Sequence, residues 1–217
     1  MNILTQAASF IVSRSIFLLV SFLTGIRAKF EGDIAFTPER KVYFANHNSH
    51  ADFIMVQLAL PKRWRKAARP VAGADYWLKG AFRRFVSKHV FNSLLIMRNG
   101  NDPKAITRQM SDVLATQSSL IIFPEGTRTA DRIAMHKAAF YIAINFAKNM
   151  NCVAIKMDPK SLKKGQVWYD TPEVRMKYDL YELCALDLTG FEPDRPNPIR
   201  VRKLYEKISN LYEKENL

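Results

Sequence analysis

Hydrophobic and polar positions change period several times along this chain, and the changes mark out its elements. Residues 7–26 are strongly apolar, interrupted by Arg14 and several serines. Asn2, Thr5, Gln6, Ser9 and Ser13 fall on one stripe at i, i+3, i+4 spacing, as on an amphipathic helix. Beyond Ile16 the stripe is lost, and Ile16-Phe17-Leu18-Leu19-Val20 is apolar all round. Crossing a bilayer takes about 20 mostly apolar residues, and Arg14 stands awkwardly inside this run. The pattern predicts a helix lying in or dipping into one leaflet, in preference to a full span or a core helix. Residues 1–13 carry no basic n-region and no A-x-A site follows, which argues against a secretory signal.

Further on, residues 33–36 and 41–45 read as short strands around a Thr37-Pro38 turn. A helix is expected over 49–60, closed by Pro61, then a small-residue strand over 71–74 and an amphipathic helix over 75–91. Residues 94–97 fit a buried strand, and Asp102-Pro103 starts a helix running to about Gln117, with proline at its first position. Residues 120–123 form the next buried strand, 134–149 a helix, and 152–157 another strand. Val174, Met176, Tyr178 and Leu180 alternate with charged residues as in a half-exposed strand, while Leu204, Ile208 and Leu211 give a last helix its apolar face. Strands alternating with helices predict an α/β fold: a largely parallel central sheet flanked by helices on both faces, with the apolar helix at its N-terminal side. Sites in such sheets form at the carboxyl ends of the strands.

At 217 residues the chain can bury a substantial core. Its formal charge of +13 is unevenly spread. Between positions 62 and 88 nine Lys/Arg stand against the single Asp75, interleaved with Trp64, Tyr76, Trp77, Phe82 and Phe85. Such a patch attracts phosphate on nucleic acid or on anionic lipid. No recognisable nucleic-acid module accompanies it, and the apolar N-terminal segment favours the membrane. Cys152 and Cys184 make no disulfide framework and fit a reducing compartment.

Asn46-His47-Asn48-Ser49-His50-Ala51-Asp52 sits between a strand and a helix. Residues five apart in a continuous helix point about 140° from each other. His47 and Asp52 therefore meet only if His47 lies in the turn and Asp52 in the first helical turn. The carboxylate would then accept from one imidazole nitrogen, leaving the other to take a proton as a general base. A second account of the same residues is a capping box, Ser49 as N-cap and Asp52 at N3. A third, a metal held by His47, His50 and Asp52, lacks obvious further ligands, since His89 and His136 are isolated.

Phe123-Pro124-Glu125-Gly126-Thr127-Arg128-Thr129 follows another strand. Taken alone it is a strand end, a glycine turn and a solvated charge pair. The two segments together, in this order, resemble the glycerolipid acyltransferase family, the lysophosphatidic acid acyltransferase (PlsC-like) group in particular. That family carries N-H-x-x-x-x-D followed by F-P-E-G-T-R-[ST], and between them an apolar strand ending in arginine, here Leu95-Ile96-Met97-Arg98. Two departures stand out: Asn92-Ser93 occupy a place often held by glycine, and residues 151–159 lack the first of two bracketing prolines.

The resemblance implies a membrane-associating segment over 1–28 and an acyltransferase catalytic domain over 29–217. It implies transfer of a fatty acyl group from acyl-CoA or acyl-carrier protein to the free hydroxyl of a lysophosphatidic-acid-type glycerolipid, or alternatively of another lysolipid. His47 and Asp52 are the implied catalytic pair. Arg98 and Arg128 are the implied phosphate clamp, with Glu125, Gly126 and Thr127 close to the acceptor. No metal or cofactor is expected. The expected partners are an anionic membrane surface, the lysolipid and the acyl donor, with no nucleic acid. The expected location is monotopic on the cytoplasmic face of a membrane. No G-x-S-x-G nucleophile elbow is present, which fits direct transfer without a covalent enzyme intermediate.

Overall fold

A computed structural model describes residues 2–24, 41–47, 52–60, 62–97, 103–116, 118–126, 140, 151–157, 183–187 and 197–213. Its described strands are β1 (Lys41–Ala45), β2 (Ala68–Gly73), β3 (Leu94–Ile96), β4 (Ser119–Ile122), β5 (Asn151–Met157) and β6 (Leu183–Asp187). Its described helices are α1 (Ile3–Thr24), α2 (Asp52–Ala59), α3 (Lys62–Arg65), α4 (Ala74–Trp77), α5 (Ala81–Phe85), α6 (Pro103–Ala115) and α7 (Asn197–Glu213).

The strands form one sheet in the order β3-β2-β4-β1-β5-β6. Every pairing is parallel except that of β5 with β6, which is antiparallel. This is the expected α/β fold, and side-chain parity along its central strands explains why helices cover both faces. Val42 and Phe44 of β1, with Leu120 and Ile122 of β4, point to one face and pack with Met110, Val113 and Leu114 of α6, Val201, Leu204, Ile208 and Leu211 of α7, and Phe140. Tyr43 and Ala45, with Ile121, point to the other face. They pack with Ile54, Met55, Val56 and Leu60 of the α2 segment, Val20 of α1, and Val86 and Phe91. Both faces are apolar because a parallel sheet is buried on both sides.

Several expected boundaries move, each for a physical reason. The strand expected over 71–74 begins three residues earlier, because Pro70 does not break it. Residues 68–70 pair with β4 and residues 71–73 with β3, so the proline sits where β2 changes partner. The helix expected over 75–91 is interrupted after α4. Gly80 has φ +91° and ψ 152°, a conformation open in practice to glycine alone, and the chain restarts there as α5. Residues Val86–Val90 then form a single π-helical turn, closed by the Phe91 N–H donating to the Val86 carbonyl. The helix expected over 49–60 is described over Asp52–Ala59. β6 was not anticipated, because Leu183-Cys184-Ala185-Leu186 has no polar alternation to mark it. The expected strands at 33–36 and 174–180, the helix over 134–149 apart from Phe140, and Ser49 lie outside the described residues.

The cysteines do not face each other. Cys184 pairs with Lys156, four residues along β5 from Cys152, a separation of roughly 13 Å and far beyond disulfide reach.

The N-terminal helix is turned opposite to a water-facing amphipathic helix. Thr5, Ser9 and Ser13 from its polar stripe are half-buried, whereas Ile3, Leu4, Phe10, Ile11, Leu18, Leu19 and Phe22 are exposed. Only its second half meets the domain: Val12, Ile16, Phe17 and Val20 pack on the α2 side of the sheet, with the Phe17 ring edge-on to Phe91 at 6.4 Å. By length and composition Ile3–Phe22 could cross a membrane, and 6 % of its most apolar window is buried.

Candidate active site

β1 and β4 are neighbours with Phe44 opposite Ile122, so the segments that follow them emerge side by side at the carboxyl edge of the sheet. The apolar strands hold the polar residues that succeed them at fixed places. His47 continues the parity of Tyr43 and Ala45, and Phe123 that of Ile121. The site therefore opens on the face covered by α1 and α2.

His47 Nδ1 lies 2.9 Å from Asp52 Oδ2, across the turn between β1 and α2. The five-residue spacing works because the chain is not helical until Asp52. Asp52 is fully buried and the His47 side chain is 20 % exposed. With Asp52 ionised, the Nδ1 proton is the one that donates, so Nε2 is left with a free lone pair. Asp52 is the first residue of α2, where the partial positive charge of a helix N-terminus favours a carboxylate. The dyad and a helix-start role for Asp52 are thus compatible in one geometry, and Asp52 makes a side-chain bond that the cap account alone does not need.

The imidazole is held from two further sides. Its own backbone N–H donates to Glu125 Oε2 at 2.9 Å, a bond spanning 78 residues of sequence. The Phe123 ring stacks on the imidazole with centroids 4.4 Å apart and planes inclined by 27°. Glu125 is presented by a tight turn in which the Gly126 N–H donates to the Phe123 carbonyl at 3.0 Å, and Gly126 takes φ +68°, where a side chain would be strained. Burial raises the Glu125 carboxyl above its ordinary range. The His47 N–H bond and the nearby imidazole pull it back, and Asp52 adds to the rise.

Of the seven residues singled out from sequence, His47, Asp52, Glu125 and Gly126 are brought together here. Arg98, Thr127 and Arg128 lie outside the described residues. The strand that leads to Arg98 is described: β3 is the sheet edge, two places from β4 and three from β1. At the usual strand spacing that is roughly 10 and 15 Å away. Two contributions were missed. Phe123 was read only as the end of a strand, although an aromatic next to a motif proline is a visible signal. Tyr212 of α7 carries a buried hydroxyl with no hydrogen-bond partner among the described residues. Its phenol is pushed well above its ordinary range by burial and by the Glu125 carboxylate. Nothing in the local sequence of α7 marked it. Among the described residues no three His, Cys, Asp or Glu side chains converge as a metal site would require.

Residues 27–165, well over half of the chain, match the protein family described as Acyltransferase. No curated protein matches the chain closely enough to be compared with it.

Proposed function

The chain belongs to the acyltransferase family, and from that premise we propose that it moves a fatty acyl group from acyl-CoA or acyl-carrier protein to the free hydroxyl of a lysophosphatidic-acid-type glycerolipid. The observation that carries this reading is the 2.9 Å contact between His47 Nδ1 and a fully buried Asp52, which leaves Nε2 facing outward as a base. An alkyl hydroxyl hardly ionises near neutral pH, so its proton must leave as its oxygen attacks. Nε2 takes that proton while the new C–O bond forms at the thioester carbonyl. The imidazolium is stabilised by Asp52, and the C–S bond then breaks with the thiol leaving and recovering the proton. Base help of this kind is worth about 10²–10⁴-fold.

Arg98 and Arg128 are assigned to the acceptor phosphate, which guanidinium groups bind through paired planar bonds. With β3 at the sheet edge, a clamp built from both residues grips an acceptor lying across the top of β2 and β4. Glu125, Gly126 and Thr127 line the approach, and the bond from the His47 N–H makes Glu125 a brace of the base as well. The outward apolar side chains of α1 rest in one leaflet on the cytoplasmic side. This orientation agrees with the site opening on the α1 face of the sheet. A helix with its second half packed on the domain is also poorly placed to span.

The test is acyl transfer in vitro to a panel of acceptors, each offered with acyl-CoA and with acyl-carrier protein. Lysophosphatidic acid should turn over fastest. Equal or faster transfer to a lysophospholipid without a terminal phosphate, or to an amino-acid-containing lysolipid, would overturn the headgroup assignment while leaving acyl transfer in place.

A further inference from the structure

The basic and aromatic stretch between positions 62 and 88 divides into two parts with different fates. In the first part the cations are occupied. The Arg65 guanidinium donates to the carbonyls of Leu60 and Leu58 at 2.9 and 2.8 Å, capping the end of α2. Arg69 Nε donates to the Asn92 carbonyl at 2.9 Å and so secures the left-handed residue that leads into β3. Burial lowers the pKa of both guanidinium groups. Trp64 packs on the core.

The second part is the turn between α4 and α5. Phe82 is 69 % exposed and Leu78 is 42 % exposed, two large apolar side chains flanking Gly80. Tyr76 is exposed beside them and carries the Arg83 guanidinium over its ring at 4.4 Å. Lys79, Arg83, Arg84 and Lys88 are exposed around this apolar centre, and residues 76–93 contain no acid. The turn is also fixed in place. Trp77 stacks edge-on with Phe53 and Phe91, and Phe91 touches Phe17 of α1. The π-helical turn that continues α5 packs against α1 itself.

We propose that the α4–α5 turn is a second membrane contact, Leu78 and Phe82 entering the acyl boundary of an anionic leaflet while Lys79 and Arg83 meet its phosphates. The inference rests on the reading that α1 faces lipid. It adds that the domain touches the bilayer at two points, on the sheet face where His47 opens. Exposed apolar side chains ringed by cations suit an interface that is apolar within and anionic at its surface. The exposed Tyr76 ring suits the headgroup layer between them. An acidic carrier protein would use the charges but leaves Leu78 and Phe82 without a role.

The test uses the full chain and vesicles of phosphatidylcholine with and without phosphatidylglycerol. Two variants, Phe82→Ser and Lys79→Glu/Arg83→Glu, change exposed side chains outside the catalytic site. The wild type should co-sediment with the anionic vesicles. Phe82→Ser should weaken that partition by roughly tenfold, the equivalent of one large apolar side chain withdrawn from lipid. The charge variant should abolish the preference for anionic vesicles. Both should turn over a short-chain, monomeric lysolipid as the wild type does. If the wild type binds and both variants bind equally well, the second contact is wrong and α1 alone suffices. If the wild type binds no vesicle, the membrane reading of α1 fails as well. If the variants lose acyl-carrier protein but keep vesicles, the turn is a protein-docking surface and the proposal is overturned.

Discussion

Two regions of this molecule are rich in chemistry-bearing residues, and they behave in opposite ways. Asn46 to Asp52 and Phe123 to Gly126 are far apart in sequence yet form one constellation, because β1 and β4 are neighbours and end side by side. Residues 62–88 are contiguous and of one composition, yet Arg65 and Arg69 are tied to carbonyls while Lys79 and Arg83 stand in solvent. A motif with fixed spacing predicts convergence because strand ends and helix starts leave a side chain few places to go. A charge run predicts only that a field exists. Which of its members supply that field is decided by the backbone groups that happen to lie within reach.

The largest effect expected from breaking the first region is on turnover. Asp52 is fully buried, so His47→Ala removes a donor from a desolvated carboxylate and lowers stability by about 1–3 kcal/mol as well as activity. His47→Asn is the sharper probe, since an amide can still donate toward Asp52 while offering no base. Transfer should fall by about 10²–10⁴-fold with melting close to wild type. Wild-type turnover in a folded His47→Asn protein would return the segment to the role of a helix start. The second region is separated by a pair of arginines. Arg65→Ala should lower stability by about 1–3 kcal/mol, because two carbonyls at the end of α2 lose a charged donor. Arg83→Ala gives up one exposed cation–π contact and should stay within about 1 kcal/mol of wild type. Equal losses in urea titrations would mean that the stretch is uniform after all.

Much of this arrangement was readable from sequence. The strand and helix alternation yields the parallel sheet, and the requirement that His47 precede the helix gives the dyad. What was not readable depended on long-range partners. Glu125 was assigned to substrate and to Arg128, but its bond to the His47 N–H crosses 78 residues and no local pattern announces it. Pro70 was read as a breaker because the partner exchange that tolerates it is a property of three strands. The orientation of α1 was hidden for a similar reason. A polar stripe normally faces water, and only the packed position of Phe17 and Val20 reveals that this one is half-buried against the domain side.

Glu125 offers a smaller effect and a pH signature. Burial raises its folded-state pKa above the ordinary glutamate value of 4.5, so the protonated form is favoured by the fold. Its contribution to stability is therefore complete below that ordinary value and is lost as pH rises through the raised one. Glu125→Gln keeps an oxygen to accept from the His47 N–H but cannot ionise. Its stability should decline less than that of the wild type over the mildly acidic range above pH 4.5. Thermal melts at a series of pH values measure the difference. Parallel curves would place the carboxyl in an environment more like water than its burial implies.

The smallest effect belongs to Tyr212, and there the sign matters more than the size. A buried hydroxyl without a partner opposes folding, because the water it gave up is not replaced. Deleting only that oxygen leaves the ring packed against the α6 and α7 side of the core. Tyr212→Phe should then be neutral or more stable by about 1 kcal/mol, with turnover unchanged. A destabilised Phe variant would mean that the hydroxyl is satisfied by a buried water. A stable variant with lowered turnover would instead tie the C-terminal helix to Glu125 and, through it, to the backbone of His47.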